Sequence, residues 1–256
     1  MISMATNLLN GKKIVVMGVA NKKSIAWGVT RAINELGGEV ILTYQNERMK
    51  KSIERFVPED TPMFECDVAE DSNVEKTFAE IHDKFGNIDG VVHAIAYADP
   101  KTLKGGVINT TKAGYNLAED VSAYSLISVT RYASKIMNNP GSIVTLTYMG
   151  STYAIPNYNM MGIAKASLES AMRYLAVELG DMGIRMNAVS AGAVRTLAVT
   201  GVKGHGDLLK TSESLTTDGK SVTKLEIGNA VSFLLSDLAS GITGDVVYVD
   251  KGVHLF

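Results

Sequence analysis

The sequence has 256 residues, with 25 Lys and Arg against 27 Asp and Glu and a formal net charge of −2, so it carries no electrostatic footprint for nucleic acid and that class of partner is set aside. Hydrophobic residues make up 46% and charged residues 20%, which excludes a disordered chain and supplies one large core. A lone cysteine, Cys66, excludes an internal disulfide, His82, His93, His205 and His254 are too scattered for metal-ligand spacing, and neither a signal peptide nor a membrane-length apolar run is present, so a reducing cytoplasm without a membrane partner is expected.

In chain order, β-branched runs alternate with helix-period stretches. Lys13 to Val19 reads as a strand, and Ser24 to Leu36, with apolar residues three and four apart, as the helix behind it. Strands follow at Val40 to Tyr44 and Met63 to Cys66, a helix at Asn73 to Phe85, a strand at Val91 to Ala96 and a helix at Tyr124 to Met137. The remainder gives strand Ile143 to Thr147, helix Ala164 to Leu179, strand Met186 to Ser190, helix Lys224 to Leu235 and strand Val246 to Val249. Several strands are apolar nearly throughout, which suits burial on both faces of a parallel sheet. The pattern predicts an α/β fold, a single doubly wound, Rossmann-type domain over residues 1–256 with a parallel seven-stranded sheet and helices on both faces. No repeat or Pro- or Ser-rich linker divides it, and all five prolines fall outside the predicted elements.

The first strand runs into Gly18-Val19-Ala20-Asn21-Lys22-Lys23-Ser24, where the helical pattern begins. A phosphate would sit at that helix start, where unpaired N–H groups and the positive end of the dipole meet an anion. Gly18 lets the chain turn at the strand end, and Gly28 lets the helix approach the sheet. The stretch is not G-x-G-x-x-G, and Ser24 fits equally an ordinary N-cap; its place in the first strand-to-helix turn favours the dinucleotide. The second strand ends at Gln45, a neutral residue where an acid would bind a ribose 2′-hydroxyl and a base a 2′-phosphate. Glu47 also fits the first turn of a following helix, and Arg48, Lys50 and Lys51 its solvated face, so charge alone leaves the nicotinamide cofactor open. At the third strand end, Asp67 and Val68 fit an adenine edge, and Asp67 fits equally a helix cap.

After the fifth strand come Tyr148 and then Tyr158 and Lys165, seven residues apart. Two helical turns would put their side chains on one face. An ammonium beside a phenol would bring its pKa down toward working pH and make Tyr158 a usable proton donor. A second match, Tyr97 to Lys101, has Pro100 inside it and is discounted.

Four stretches carry a resemblance: Gly18-x5-Ser24-Ile25-Ala26-x-Gly28, Leu146-Thr147-Tyr148, Ile155-Pro156-Asn157-Tyr158-Asn159-x-Met161-Gly162-x-Ala164-Lys165, and Arg195-Thr196-Leu197-Ala198. Over nearly its whole length the chain resembles the bacterial enoyl-acyl-carrier-protein reductases of the short-chain dehydrogenase/reductase superfamily. Most of that superfamily spaces tyrosine and lysine by three residues after an upstream serine; here six intervene and Tyr148 stands upstream. The resemblance implies Tyr158 as catalytic donor, Lys165 on the nicotinamide ribose and Tyr148 as a second active-site phenol. It implies cofactor contacts from Gly18, Ser24, Ile25, Gln45, Asp67, Val68, Ile95, Lys165, Val194, Arg195, Thr196, Leu197 and Ala198. Ala98, Tyr158 and Met161 would line the acyl site. It further implies NADH as cofactor with NADPH possible, an acyl carrier protein bearing an enoyl chain as partner, and a homotetramer. A carbonyl reductase of the same superfamily and a dinucleotide-binding protein without turnover are the alternatives.

The wide spacing has a chemical rationale. In ketone reduction the hydride reaches the carbon whose oxygen is protonated, whereas in conjugate reduction it reaches C3 while charge develops on the thioester oxygen at C1, so the donor must stand farther from the nicotinamide. Residues about 194–211, with Gly201, Gly204 and Gly206 among small and apolar residues, read as a lid over the substrate. Relatives often carry more basic residues and an Ala-Pro-Leu-Arg-like run here; this chain keeps Lys203 but has His205 and Asp207, and no proline from Ser212 to Lys220.

Overall fold

The computed structural model describes residues 7–103, 105–194, 196 and 205–256. Its strands are β1 (Lys13–Met17), β2 (Glu39–Tyr44), β3 (Met63–Glu65), β4 (Ile88–His93), β5 (Met137–Thr147), β6 (Ile184–Ala191) and β7 (Val246–Val249). All pair in parallel, in the order β3-β2-β1-β4-β5-β6-β7. The chain therefore winds one way from β1 to β3 and the other way from β4 to β7. That reversal opens a crevice beyond the carboxyl ends of β1 and β4, where ligands bind in such sheets.

The helices are α1 (Ile25–Glu35), α2 (Glu47–Ile53), α3 (Asp71–Phe85), α4 (Lys112–Glu119), α5 (Ser125–Ala133), α6 (Met160–Glu178), α7 (His205–Leu215) and α8 (Lys224–Leu235). The period-2 alternation of the strands sorts their side chains into two cores. Val15, Met17, Ile41, Val91, Ile143 and Met186 pack against Phe78, Leu126, Val129, Leu168 and Met172 of α3, α5 and α6. Ile14, Val16, Leu42, Val92, Val144 and Val189 face Val29 and Ile33 of α1 and Ile227, Val231 and Leu234 of α8. Each fully buried aliphatic side chain contributes about 1.5–3 kcal/mol, so the layers are fixed by hydrophobic burial on both faces.

Three expectations need correction. β5 begins at Met137, so Pro140 lies inside a strand. The ladder tolerates it because the β4–β5 pairing shifts between Ile88↔Met137 and Gly90↔Ser142, and a proline without an N–H belongs at such an irregularity. β4 ends at His93, three residues before the predicted end, because Ala94 to Ala96 leave the sheet at the crevice. The predicted helix Tyr124 to Met137 is shorter, but it continues a longer unit: α4, a π-turn over Asp120–Tyr124, then α5. Helices α4 and α7 were not among the predicted elements, whereas α2 is the helix that Glu47 fits, with Glu47 in its first turn. Among the described residues no helix is long and apolar enough to cross a membrane. Of the predicted lid, Thr196 is buried and α7 covers 205–215, whereas Arg195 and 197–204, including Leu197 and Ala198, lie outside the described residues.

Candidate active site

Gly18 has φ +92°, and a Cβ there would run into the Ala94 carbonyl at the end of β4. Only glycine lets β1 turn this close to its neighbour. Ser24 occupies the N-cap of α1 but makes no side-chain bond into the helix; its Oγ instead accepts from the N–H groups of Ala20 and Asn21, both at 3.1 Å. The serine thus closes the turn backward and leaves the first N–H groups of α1 to an anion. A Cβ on Gly28 would meet the Cβ of Lys224 at 2.5 Å and its carbonyl oxygen at 2.6 Å, so this glycine seats α1 on α8 and not, as expected, on the sheet. A turn closed this way, with a helix start behind it, fits a dinucleotide pyrophosphate.

Farther along the same edge, Gln45 donates from Nε2 to Asp67 Oδ2 at 3.4 Å, which joins the ends of β2 and β3. Asp67 does not cap α3: its Oδ1 accepts from Ala69 N–H at 3.2 Å and its own N–H donates to Asn73 Oδ1 at 2.7 Å. Val68 is buried beside it, and Ile95 packs on the core at the end of β4.

Tyr148 and Tyr158 meet edge to face, ring centroids 4.9 Å apart at 72°. Contrary to the expectation of one shared helix, Tyr158 precedes α6. It lies between two tight turns. Tyr158 N–H donates to the Ile155 carbonyl at 3.1 Å across Pro156 and Asn157 (φ 64°), and Met161 N–H donates to the Tyr158 carbonyl at 3.0 Å across Asn159 (φ 44°, ψ −119°). The first is a type II turn, with Pro at its first and Asn at its second central position; the second has the backbone of a type II′ turn. Together they lift the phenol off the helix and aim it at Tyr148.

Lys165 does lie on α6, only 5% exposed, and its Nζ donates to the Leu146 carbonyl at 2.7 Å. One turn on, Glu169, 8% exposed, accepts from Thr147 Oγ1 at 2.5 Å. The two side chains therefore grip consecutive residues at the end of β5. Burial pushes the Lys165 amine down to about 8 against the pull of Glu169. At Tyr158 the shift runs opposite to the expectation: burial, then Tyr148 and Glu169, holds the phenol above the ordinary tyrosine range. The lysine is not among the causes, since it points to the strand end. Tyr148 is also raised, by burial and by Asp250.

Beneath the tyrosine pair, Ala98, Leu103, Ala118, Met160 and Met161 form a small apolar cluster with Tyr158 packed on it. The structure thus brings Ala98, Tyr158 and Met161 together. Ser122 of the π-turn holds the strand of loop above: its Oγ accepts from Tyr97 N–H and donates to the Tyr97 carbonyl, both at 2.9 Å. Tyr97 and Lys101 share no helix.

The family model described as Enoyl-(Acyl carrier protein) reductase matches residues 18–254, from the phosphate turn to the C-terminus. The chain belongs to this reductase family. It is 56% identical to the NADH-dependent enoyl-acyl-carrier-protein reductase FabI of Enterococcus faecalis, over 96% of this chain and 99% of that protein. Its fold matches the crystal structure of the NADH enoyl-acyl-carrier-protein reductase of Aquifex aeolicus, with a TM-score of 0.94, 39% identity, and 98% and 99% of the two chains covered. The Bacillus cereus enoyl-acyl carrier protein reductase, solved with NADP+ and indole naphthyridinone, also matches at a TM-score of 0.94, with 42% identity over 98% of this chain and 99% of that one.

The sequence gives no sign of the Thr147–Glu169 contact, of Ser122 or of the turn-forming role of Asn159, and the turn at Asn157 went unread. The Pro156-Asn157 pair carried a turn signal. Thr147 and Glu169 carried none, because their contact joins a strand end to a helix 22 positions later.

Proposed function

We propose that this chain reduces the 2,3 double bond of trans-2-enoyl-acyl-carrier-protein thioesters with NADH, in fatty acid elongation. The observation that carries the reading is the edge-to-face pair of Tyr148 and Tyr158 above the Ala98 and Met161 cluster, at the same sheet edge as the phosphate turn. Bound reduced nicotinamide would supply a hydride to C3. Gly18, Ser24, Ile25, Gln45, Asp67, Val68, Ile95, Val194, Arg195, Thr196, Leu197 and Ala198 would hold the cofactor, and Lys165 its nicotinamide ribose. Tyr158, whose phenol is held above the ordinary range, stays protonated at neutral pH and donates to the thioester oxygen as charge develops there. Tyr148 supports it as a second phenol. Residues 194–211 act as the lid.

NADH is favoured over NADPH because the neutral Gln45 amide is bonded to the Asp67 carboxylate, whose charge would repel a 2′-phosphate. Lys50 is engaged with the Tyr44 ring at 5.9 Å and Glu54 at 4.0 Å. The partner is an acyl carrier protein, the setting cytoplasmic, and the assembly a homotetramer.

The test is NADH and NADPH oxidation, each with crotonyl and acetoacetyl thioesters. Crotonyl turnover with NADH should dominate, and faster reduction of the keto compound would identify a carbonyl reductase instead. Tyr158→Phe keeps the ring and should preserve NADH affinity while kcat falls by about 10²–10⁴. Lys165→Ala should worsen both cofactor Kd and kcat. Should Tyr148→Phe abolish turnover while Tyr158→Phe leaves it intact, the two phenols exchange roles.

A further inference from the structure

Asn159 stands directly after Tyr158 and N-caps α6, yet its side chain makes no capping bond. Its backbone, at φ 44° and ψ −119°, suits glycine at the first central position of a type II′ turn and strains other residues, asparagine least among them. The side chain explains why glycine is absent. Asn159 Nδ2 reaches across to the loop after β4, donating to the Gly105 carbonyl at 2.9 Å and to the Leu103 carbonyl at 3.3 Å.

That loop has little of its own to hold it. Asp99 organises its start: the Thr102 N–H and Oγ1 donate to the Asp99 carbonyl at 2.8 and 2.7 Å, and Lys101 N–H to Asp99 Oδ1 at 2.9 Å. Ser122 fixes Tyr97. Beyond Thr102, Leu103 is buried among Ala98, Met160 and Met161, and Gly105 has φ +86°. Asn159 ties this end of the loop through polar contacts, and it belongs to the same two-residue unit as the phenol.

We propose that Asn159 is a positioning residue that couples the acyl-side loop, through the carbonyls of Leu103 and Gly105, to Tyr158, so that the wall against the acyl chain and the proton donor keep a fixed separation. The idea rests on the enoyl reductase reading above. Its two parts separate chemically: the backbone conformation places Tyr158, and the side-chain amide places the loop. A glycine at 159 keeps the first and deletes the second. An alanine deletes the amide and also strains the turn.

The experiment compares wild type, Asn159→Gly and Asn159→Ala, using crotonyl and longer-chain enoyl thioesters together with NADH titration followed by fluorescence. For Asn159→Gly, KM for the longer thioester should rise about five- to thirtyfold, as expected for two lost hydrogen bonds, with kcat within about threefold of wild type. NADH affinity should not move. Asn159→Ala should show the same rise in KM and in addition a fall in kcat of about tenfold or more as Tyr158 shifts. An unchanged KM in Asn159→Gly would overturn the proposal, as would a kcat loss in that variant as deep as in the alanine one. A readout independent of activity is limited trypsin cleavage after Lys101 in the protein without substrate, quantified by mass spectrometry. Asn159→Gly should be cut there about five- to thirtyfold faster if opening of the loop limits cleavage, and equal rates would overturn the coupling. If wild type reduced no enoyl thioester, the functional reading would fail, while the cleavage comparison would still decide whether Asn159 holds the loop.

Discussion

His93 closes β4 with no exposed surface, and both ring nitrogens are bonded, Nε2 to Ser125 Oγ at 2.9 Å and Nδ1 to Thr145 Oγ1 at 3.0 Å. Ser125 Oγ also donates to the Val121 carbonyl at 2.7 Å and Thr145 Oγ1 to the His93 carbonyl at 3.2 Å, so the neutral ring, with one donor and one acceptor nitrogen, sits between two hydroxyls and has a partner at each end. Burial, seconded by the charge of Lys165, pushes the imidazole down to about 3. The folded state thus binds a proton less readily than the unfolded chain, whose histidine titrates near 6.5. Stability is therefore full above pH 6.5 and declines as pH falls toward 3, at up to about 1.4 kcal/mol per pH unit. Urea midpoints of wild type and His93→Gln between pH 6.5 and 5 should diverge in slope, wild type losing more. Parallel slopes would mean that the site admits a proton at little cost. The loss sits in the active-site frame, since Ala94 and Ile95 follow directly.

At the scale of elements, α1 and α8 meet through glycine. A Cβ on Gly228 would meet the Gly28 carbonyl at 2.7 Å and Ala32 Cβ at 2.8 Å, the reciprocal of the Gly28 contact. Alanine raises helix propensity by about 1 kcal/mol, but the obstruction at Gly28 is backbone and cannot rotate away, so overpacking of about 1–3 kcal/mol wins. Gly28→Ala should be less stable by about 1–2 kcal/mol and bind NADH more weakly, because α1 moves with its phosphate turn. Gly180→Ala, with nothing within 4 Å of the added carbon, is the control and should be near neutral. These elements also show how far a sequence can be read. The apolar strands and α1, α3, α6 and α8 were legible because two-sided burial imposes periodic hydrophobicity on them. Helix α4 was not, since Lys112–Glu119 is mostly exposed and carries Gly114 inside. Its start depends on Thr111 Oγ1 accepting from Gly114 N–H at 3.1 Å, a local bond without periodicity. In the site, spacing alone placed Tyr158 on the helix with Lys165. The phosphate turn and the two phenols were legible through motif, whereas the grip of Glu169 on Thr147 joins residues that only the fold makes neighbours.

For the whole molecule, the outer face of α6 carries Tyr174 and Val177 at 73% and 81% exposure. Ile127, Ala171 and Leu175 line an adjoining groove between α5 and α6. Apolar surface of this kind suits burial against another copy. If this face serves the proposed tetramer, Val177→Glu should leave the subunit's own stability within about 0.5 kcal/mol, as for an exposed position, yet shift sedimentation to a smaller species than wild type. Wild type sedimenting as a monomer would contradict the assembly. The packing of α8 on α1 has another outcome during synthesis. The Lys224 ammonium of α8 donates to the carbonyl of Lys22, in the phosphate turn, at 2.5 Å from 202 positions away. A ribosome releases the turn about two hundred residues before the helix that backs it. The nascent chain therefore carries an immature nucleotide cradle until α8 has emerged, and dinucleotide capture becomes a signature that this late-made helix is in place.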